Sequence, residues 1–276
     1  AESKKAYQEG TLKEEEAIAN RQIIGYSDSR GIVDEQGRKI EGITSELNST
    51  KEMVSEDYFM VHPAFTDEEE NGGWDGQLSG IWVGKYETSS VEGNSNSTAD
   101  NVTTKTAQVR AGVSSWRNID IGNMYTVAKA YAPNLESHML KNSEWGAVAY
   151  LTESQYGRNG TEVTINNNGT TYYTGGGGGN AYVTNTPQSS TGNVYGIYDL
   201  SGNAFEYVAS YYKDGNFSNA NSTFTTGTSD KYSTAYDGTD VNTNYKYGDA
   251  TYETSGWHED GADFVNSGNP FFGRGG

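Results

Sequence analysis

Tyr195-Gly196-Ile197-Tyr198-Asp199-Leu200-Ser201-Gly202-Asn203-Ala204-Phe205-Glu206-Tyr207-Val208 is a fourteen-residue block in which aromatic, glycine and carboxylate positions alternate. Such an order is not a product of composition. The chain around it shares the same vocabulary: 33% of its 276 residues are hydrophobic and 12% aromatic, with 21 Tyr, 5 Trp and 35 Gly. A core short of Leu and Ile but rich in rings suits a loop-heavy fold, because each planar side chain buries much area. Glycine, with the many Asn, Ser and Thr, argues for turns and few helices.

Charge and cysteine narrow the chemistry. Nineteen Lys and Arg stand against 37 Asp and Glu, a formal net charge of -18. Polyanions are repelled over most of such a surface, which argues against nucleic acid as a partner. Cysteine is absent, which removes disulfides, thiolate metal sites and thiol nucleophiles together. No apolar run is long enough to span a bilayer.

The fourteen-residue block resembles the signature of the formylglycine-generating-enzyme-like, or sulfatase-modifying-factor, branch of the C-type lectin fold. There a strand of the form Gly-aliphatic-aromatic-Asp-aliphatic runs into Gly-Asn-x-aromatic-Glu-aromatic. Three further segments resemble the same family. Leu78-Ser79-Gly80-Ile81-Trp82-Val83-Gly84-Lys85-Tyr86-Glu87-Thr88 reads as its opening core strand, fed by residues 59–65. Ser137 to Leu151 reads as its second helix, with Asn142 or Ser143 as cap and Trp145 and Tyr150 packed inward. Asn269-Pro270-Phe271-Phe272-Gly273-Arg274-Gly275-Gly276 resembles its Phe-Phe-x-Arg-Gly-Gly segment. The resemblance implies an α+β fold of short twisted antiparallel strands, two helices and long irregular loops, with Trp82, Trp145 and Phe205 sharing one interior. It also implies a terminal strand beyond Gly276, whose absence would leave an unpaired edge near Trp82.

Elsewhere the pattern is local. Ile121 to Tyr131 has apolar residues near a helical period and stops before Pro133. Residues 91–106 and 213–256 read as long polar excursions, and Gly175 to Gly179 as a flexible loop, since no Lys follows to complete a phosphate-binding motif. Residues 1–50 are expected to form a helical stem and connector, and 51–276 the lectin-type domain. Ala1 to Glu16 resembles the polar helix that follows the membrane anchor in pilin-like surface proteins of gut Firmicutes; the alternative is a charged, solvated helix of no special origin. The first reading implies an extracellular, surface-attached protein whose anchor has been removed.

Catalysis is poorly supported. The family's enzymes oxidise a substrate cysteine with a cysteine pair and copper, which a chain without cysteine cannot do. The related sulfoxide synthases hold iron with three histidines, whereas His62, His138 and His258 each stand alone in sequence. Ser201 lies outside any nucleophile elbow. Carboxylate pairs such as Asp199 with Glu206, or Glu259-Asp260, are uninformative in so acidic a chain. Asn203 and Glu206 occupy the position where the family can place calcium, with Asp199 near enough to join them. Alternatively, Asn203 and Glu206 cap and cross-link backbone groups of a turn beside Phe205.

What remains is a recognition vocabulary. Tyr gives rigid contact area, while Ser, Gly and Asn give adaptable hydrogen bonds. Related members of the fold include variable ligand-binding proteins of diversity-generating retroelements and phage tropism determinants. The resemblance therefore implies a non-catalytic, cell-surface binding domain for an extracellular protein or glycan, requiring no cofactor apart from the calcium option. Tyr245, Tyr247, Tyr252, Trp257 and His258 are its expected ligand-binding residues. The alternatives are a structural or receptor-binding subunit of a filament or phage particle and, on poor grounds, a sulfatase-modifying-type oxidoreductase.

Overall fold

A computed structural model of the chain describes residues 25–28, 31–33, 52–54, 62–94, 100–217, 231–246, 248–254, 257 and 263–275. It divides into two units, Ala1–Val61 and His62–Gly276. In the first, β1 (Gly25–Asp28) lies between β2 (Gly31–Val33) and β3 (Glu52–Val54), antiparallel to both. Tyr26 stands opposite Val33 on one side and Met53 on the other. The stem helix expected near the N-terminus and residues 59–61 lie outside the described residues.

The second unit mixes helices with small sheets. β4 (Thr88–Ser90) and β5 (Ala107–Val109) form an antiparallel pair. α1 (Ile121–Tyr131) and α2 (Asn142–Glu153) follow, then β6 (Glu206–Tyr212), β7 (Thr234–Tyr236), the short α3 (Val241–Asn244) and β8 (Phe271–Arg274). β6 is the central strand of the second sheet, parallel to β7 and antiparallel to β8.

The period of β6 explains its place. Side chains alternate across a strand, and both faces of β6 are covered: Val208 packs with Trp145, Val148, Val163, Leu200, Tyr236 and Phe272, while Ala209 and Tyr211 pack with Ile121, Tyr125, Met139 and Phe271. Phe271 and Phe272, neighbours on β8, divide between the same two clusters. A bulge between Tyr207 and Tyr211 interrupts the ladder with β8, and there the Ala209 N–H donates to the Leu140 carbonyl at 2.7 Å.

The helix expected over Ile121–Tyr131 forms over those residues and gives way to a 3-10 turn at Pro133. The helix expected over Ser137 to Leu151 forms over Asn142–Glu153, so its cap is Lys141 and not Asn142 or Ser143: the Glu144 carboxylate reaches back to accept the Lys141 N–H at 2.9 Å. Asn142 and Ser143 are committed elsewhere, Ser143 Oγ donating to the Gly72 carbonyl at 2.7 Å.

Three expectations are corrected. No strand forms over residues 78–87; regular pairing begins at Thr88, and residues 91–106 join β4 to β5. Trp82, Trp145 and Phe205 do not share an interior. Trp145 is buried, Trp82 is fully exposed and Phe205 is 43% exposed. Val83 packs on the core, while its neighbour Trp82 faces outward. Phe205 lies across the backbone of Gly273 and edge-on to Tyr207, outside the sheet. Tyr150 is also partly exposed, its hydroxyl bonded to Glu253.

These placements predict opposite outcomes for two large aromatic truncations in urea unfolding. Phe272→Ala, at a fully buried position, should lose about 3–5 kcal/mol; Trp82→Ala should stay within about 0.5 kcal/mol of the parent.

Candidate functional site

Arg274 ends β8 with its side chain completely buried. Its guanidinium lies between the Trp145 and Phe272 rings, 4.5 and 4.4 Å from their centroids. Nε and one terminal nitrogen donate to Asn142 Oδ1 on α2 at 2.9 and 2.7 Å. The remaining donors reach one loop: Thr254 Oγ1 at 3.0 Å, the Ala250 carbonyl at 3.4 Å, and the Asp249 carbonyl. The planar fork of arginine suits this division of five N–H groups between a helix and a loop.

Asp249 closes the circuit. Asn142 Nδ2 donates to Tyr236 Oη at 2.7 Å, and the Tyr236 hydroxyl donates to Asp249 Oδ2 at 2.6 Å, which also takes the Lys246 N–H at 3.0 Å. The loop backbone approaches α2 so closely that a Cβ on Gly146 would stand 1.7 Å from the Gly248 carbonyl oxygen. Only glycine fits there. His62 secures the same carbonyl: its Nε2 lies 3.0 Å from the Gly248 oxygen, and its Nδ1 accepts the Ala64 N–H at 3.2 Å. That arrangement needs the neutral ring, and burial pushes His62 down to about 4 against the raising influence of the Gly248 carbonyl.

On the outer side of this loop, Tyr245 and Tyr252 are 44% and 49% exposed. Their rings meet edge-on with centroids 5.5 Å apart, and Tyr252 Oη donates to Asn242 Oδ1 at 3.0 Å. The structure thus brings together two of the five expected ligand-binding residues. Tyr247 and His258 lie outside the described residues. Trp257 is corrected: it is buried in the core beside Trp145, ring centroids 6.3 Å apart, and offers no recognition surface.

The acidic block is stitched to the segment before β4. Glu87 Oε2 accepts from Asn203 Nδ2 at 2.7 Å and Oε1 from the Ala204 N–H at 3.1 Å. Asp199 takes the Gly175 N–H at 2.9 Å, Asn166 Nδ2 at 2.8 Å and the Glu87 N–H at 3.4 Å. Gly175, expected in a flexible loop, is therefore tethered. Burial raises Asp199 to about 6 in spite of these donors. Burial, and then the charges of Glu206 and Asp199, hold Glu87 well above the usual carboxylate range. Asn203 (φ 70°) and Gly202 (φ 79°) take left-handed backbone, and a Cβ on Gly202 would meet the Asn166 backbone at 2.7 Å.

Calcium prefers six to eight oxygen ligands. Both Asp199 oxygens point at amide donors, and Glu206 Oε2 accepts the Trp145 indole N–H at 3.2 Å. Asn203 Oδ1 is buried without a hydrogen-bond partner. One such oxygen does not make a calcium shell, and no group of three or more His, Asp or Glu among the described residues is arranged to hold a metal. The set Asp199, Asn203 and Glu206 fits a turn cross-link better than a cation site.

The Arg274 hub was missed by sequence reasoning, although the Phe271-Phe272-Gly273-Arg274 motif marked its position. Arg274→Ala would leave the Asn142 amide oxygen and the Asp249 carbonyl without their donor, and should lose about 3–5 kcal/mol in denaturant unfolding; Arg274→Lys should recover only part. Asp249 is raised from 3.8 to about 6, chiefly by burial. The folded state binds that proton more tightly than the unfolded one, so the contribution to stability declines as pH rises from 3.8 to about 6. Urea midpoints between pH 4 and pH 7 should accordingly fall less steeply in Asp249→Asn than in the parent. No family model matches the chain, and no curated protein matches it.

Proposed function

We propose that this protein is a non-catalytic ligand-binding domain of the formylglycine-generating-enzyme-like branch of the C-type lectin fold. It is displayed on a bacterial cell surface or pilus-like structure and recognises an extracellular protein or glycan. The observation that carries the reading is the two-sided loop at 245–254: the inner side is fixed to Arg274 through Asp249, Ala250 and Thr254, and the outer side presents Tyr245 and Tyr252. Rigid support beneath exposed tyrosines lowers the entropy lost on binding. The lectin-type assignment draws support from how the motif segments meet. Glu87 holds Asn203 and Ala204 of the central block, and Arg274 holds Asn142 at the head of α2. Glu87 and Asp199 are engaged in cross-links of this kind, and the reading requires no cofactor.

A filament or phage subunit is the second reading, favoured by the fully exposed Trp82 and the exposed Tyr195, which would contact neighbouring copies. Glycan and protein arrays probed with the purified chain distinguish the two. The binding reading expects a discrete class of hits that weakens at least about tenfold in the Tyr245→Ser/Tyr252→Ser double variant, equivalent to about 1.4 kcal/mol, with unfolding midpoints unchanged. Flat arrays together with ordered self-association that Trp82→Ser abolishes would replace it with the filament reading.

A further inference from the structure

His138 sits in the turn between α1 and α2, most of its ring buried, and has an acceptor on each side. Nδ1 lies 2.7 Å from the Glu136 carbonyl oxygen, and Nε2 lies 3.1 and 3.0 Å from the two carboxylate oxygens of buried Glu144. A neutral imidazole carries one N–H, so one of those contacts would set acceptor against acceptor. His62 shows the contrasting case, with an acceptor on one side and a donor on the other. We infer that His138 is an imidazolium in the folded protein and that, with Lys141, it forms a proton-dependent clasp on the Lys231–Tyr232 segment leading into β7.

The clasp has two cations and two held segments. The His138 ring stacks on Tyr232, centroids 5.1 Å apart at an interplanar angle of 27°, and meets Trp74 edge-on at 5.1 Å. Lys141 Nζ donates to the carbonyls of Gly73 and, at 3.1 Å, Lys231, and lies 4.5 Å from the Trp74 ring centroid. Both cations therefore tie the 73–74 and 231–232 segments to the start of α2. The surrounding charges pull in both directions. From α2 come Glu144 and Lys141; from α1 comes Lys129, whose Nζ lies 4.7 Å from the Tyr232 centroid. The held segment brings Lys231, paired with Glu136 at 3.0 Å. The Gly73–Trp74 segment contributes a carbonyl and an indole ring.

Burial opposes the charge on His138, as does Lys141, but the hydrogen bond and charge of Glu144 and the Glu136 carbonyl outweigh them and raise the ring above its ordinary 6.5. A raised histidine contributes its full stability below 6.5, and that contribution is lost as pH climbs from 6.5 to the folded midpoint. Loss of the proton removes one of the two donors, weakens the pairing of buried Glu144 and takes the charge off the Tyr232 face. The residues leading into β7 then lose a tie to α2.

Ring-nitrogen NMR on the full chain tests this directly. Both His138 nitrogens should be protonated at pH 6.5, with a titration midpoint above 6.5. Amide-exchange protection at residues 231–236, corrected for base catalysis, should fall between pH 6.5 and that midpoint and then level off. The β4–β5 pair should show no such step. In His138→Gln the step should vanish; should that variant not fold, the wild-type titration and exchange decide alone. A singly protonated ring at pH 6.5, a midpoint at or below 6.5, or exchange at 231–236 without a step over that interval would each overturn the clasp.

Discussion

Taking the Arg274 guanidinium out of water is the constraint around which the large unit is arranged. A buried charge is tolerated only when its donors are met and its field is answered. Here the donors are met by Asn142 of α2 and by the 249–254 loop, and the field is answered at one remove, through Asn142 and Tyr236 to Asp249. The two ring faces of Trp145 and Phe272 occupy the remaining directions. A helix, two strands and a loop are thereby placed by a single side chain. That is specificity of arrangement rather than an excess of stability, since an ion removed from water recovers little net free energy.

The same economy runs through the acidic block. Asp199, Asn203 and Glu206 looked like oxygen ligands because their residue types suit a hard cation; in place, they accept or donate to Gly175, Asn166, Glu87 and Trp145. Such polar cross-links, joining residues as far apart as Glu87 and Asn203, 116 positions in sequence, tie loops together in a chain that has no cysteine for disulfides. They also explain why long segments without regular structure can still sit on a shared core: their backbone groups are satisfied by side chains where no ladder is present.

How much of this was legible depended on range. The Ile121–Tyr131 helix was readable because its period and its stop at Pro133 are local. The central block was readable as a motif, yet its strand begins only at Glu206, because Asp199, Gly202 and Asn203 take positive φ that no strand accommodates. Trp82 was misplaced because the strand expected over 78–88 does not form before Thr88: Val83 packs on the core while Trp82 faces solvent. Trp257 was misread because ring composition alone does not distinguish a recognition surface from a core. Arg274 was invisible as a hub, since Asn142 lies 132 residues away in sequence. The opposite proton states of His62 and His138 follow only from what faces each nitrogen.

On this reading, Arg274 makes the Tyr245 and Tyr252 loop rigid. Backbone ¹⁵N order parameters of residues 248–254, compared between the parent and Arg274→Lys, address it most directly. Values near 0.85 in the parent should drop below about 0.6 in the variant, with α1 unchanged. Equal rigidity of the loop in both proteins would contradict it.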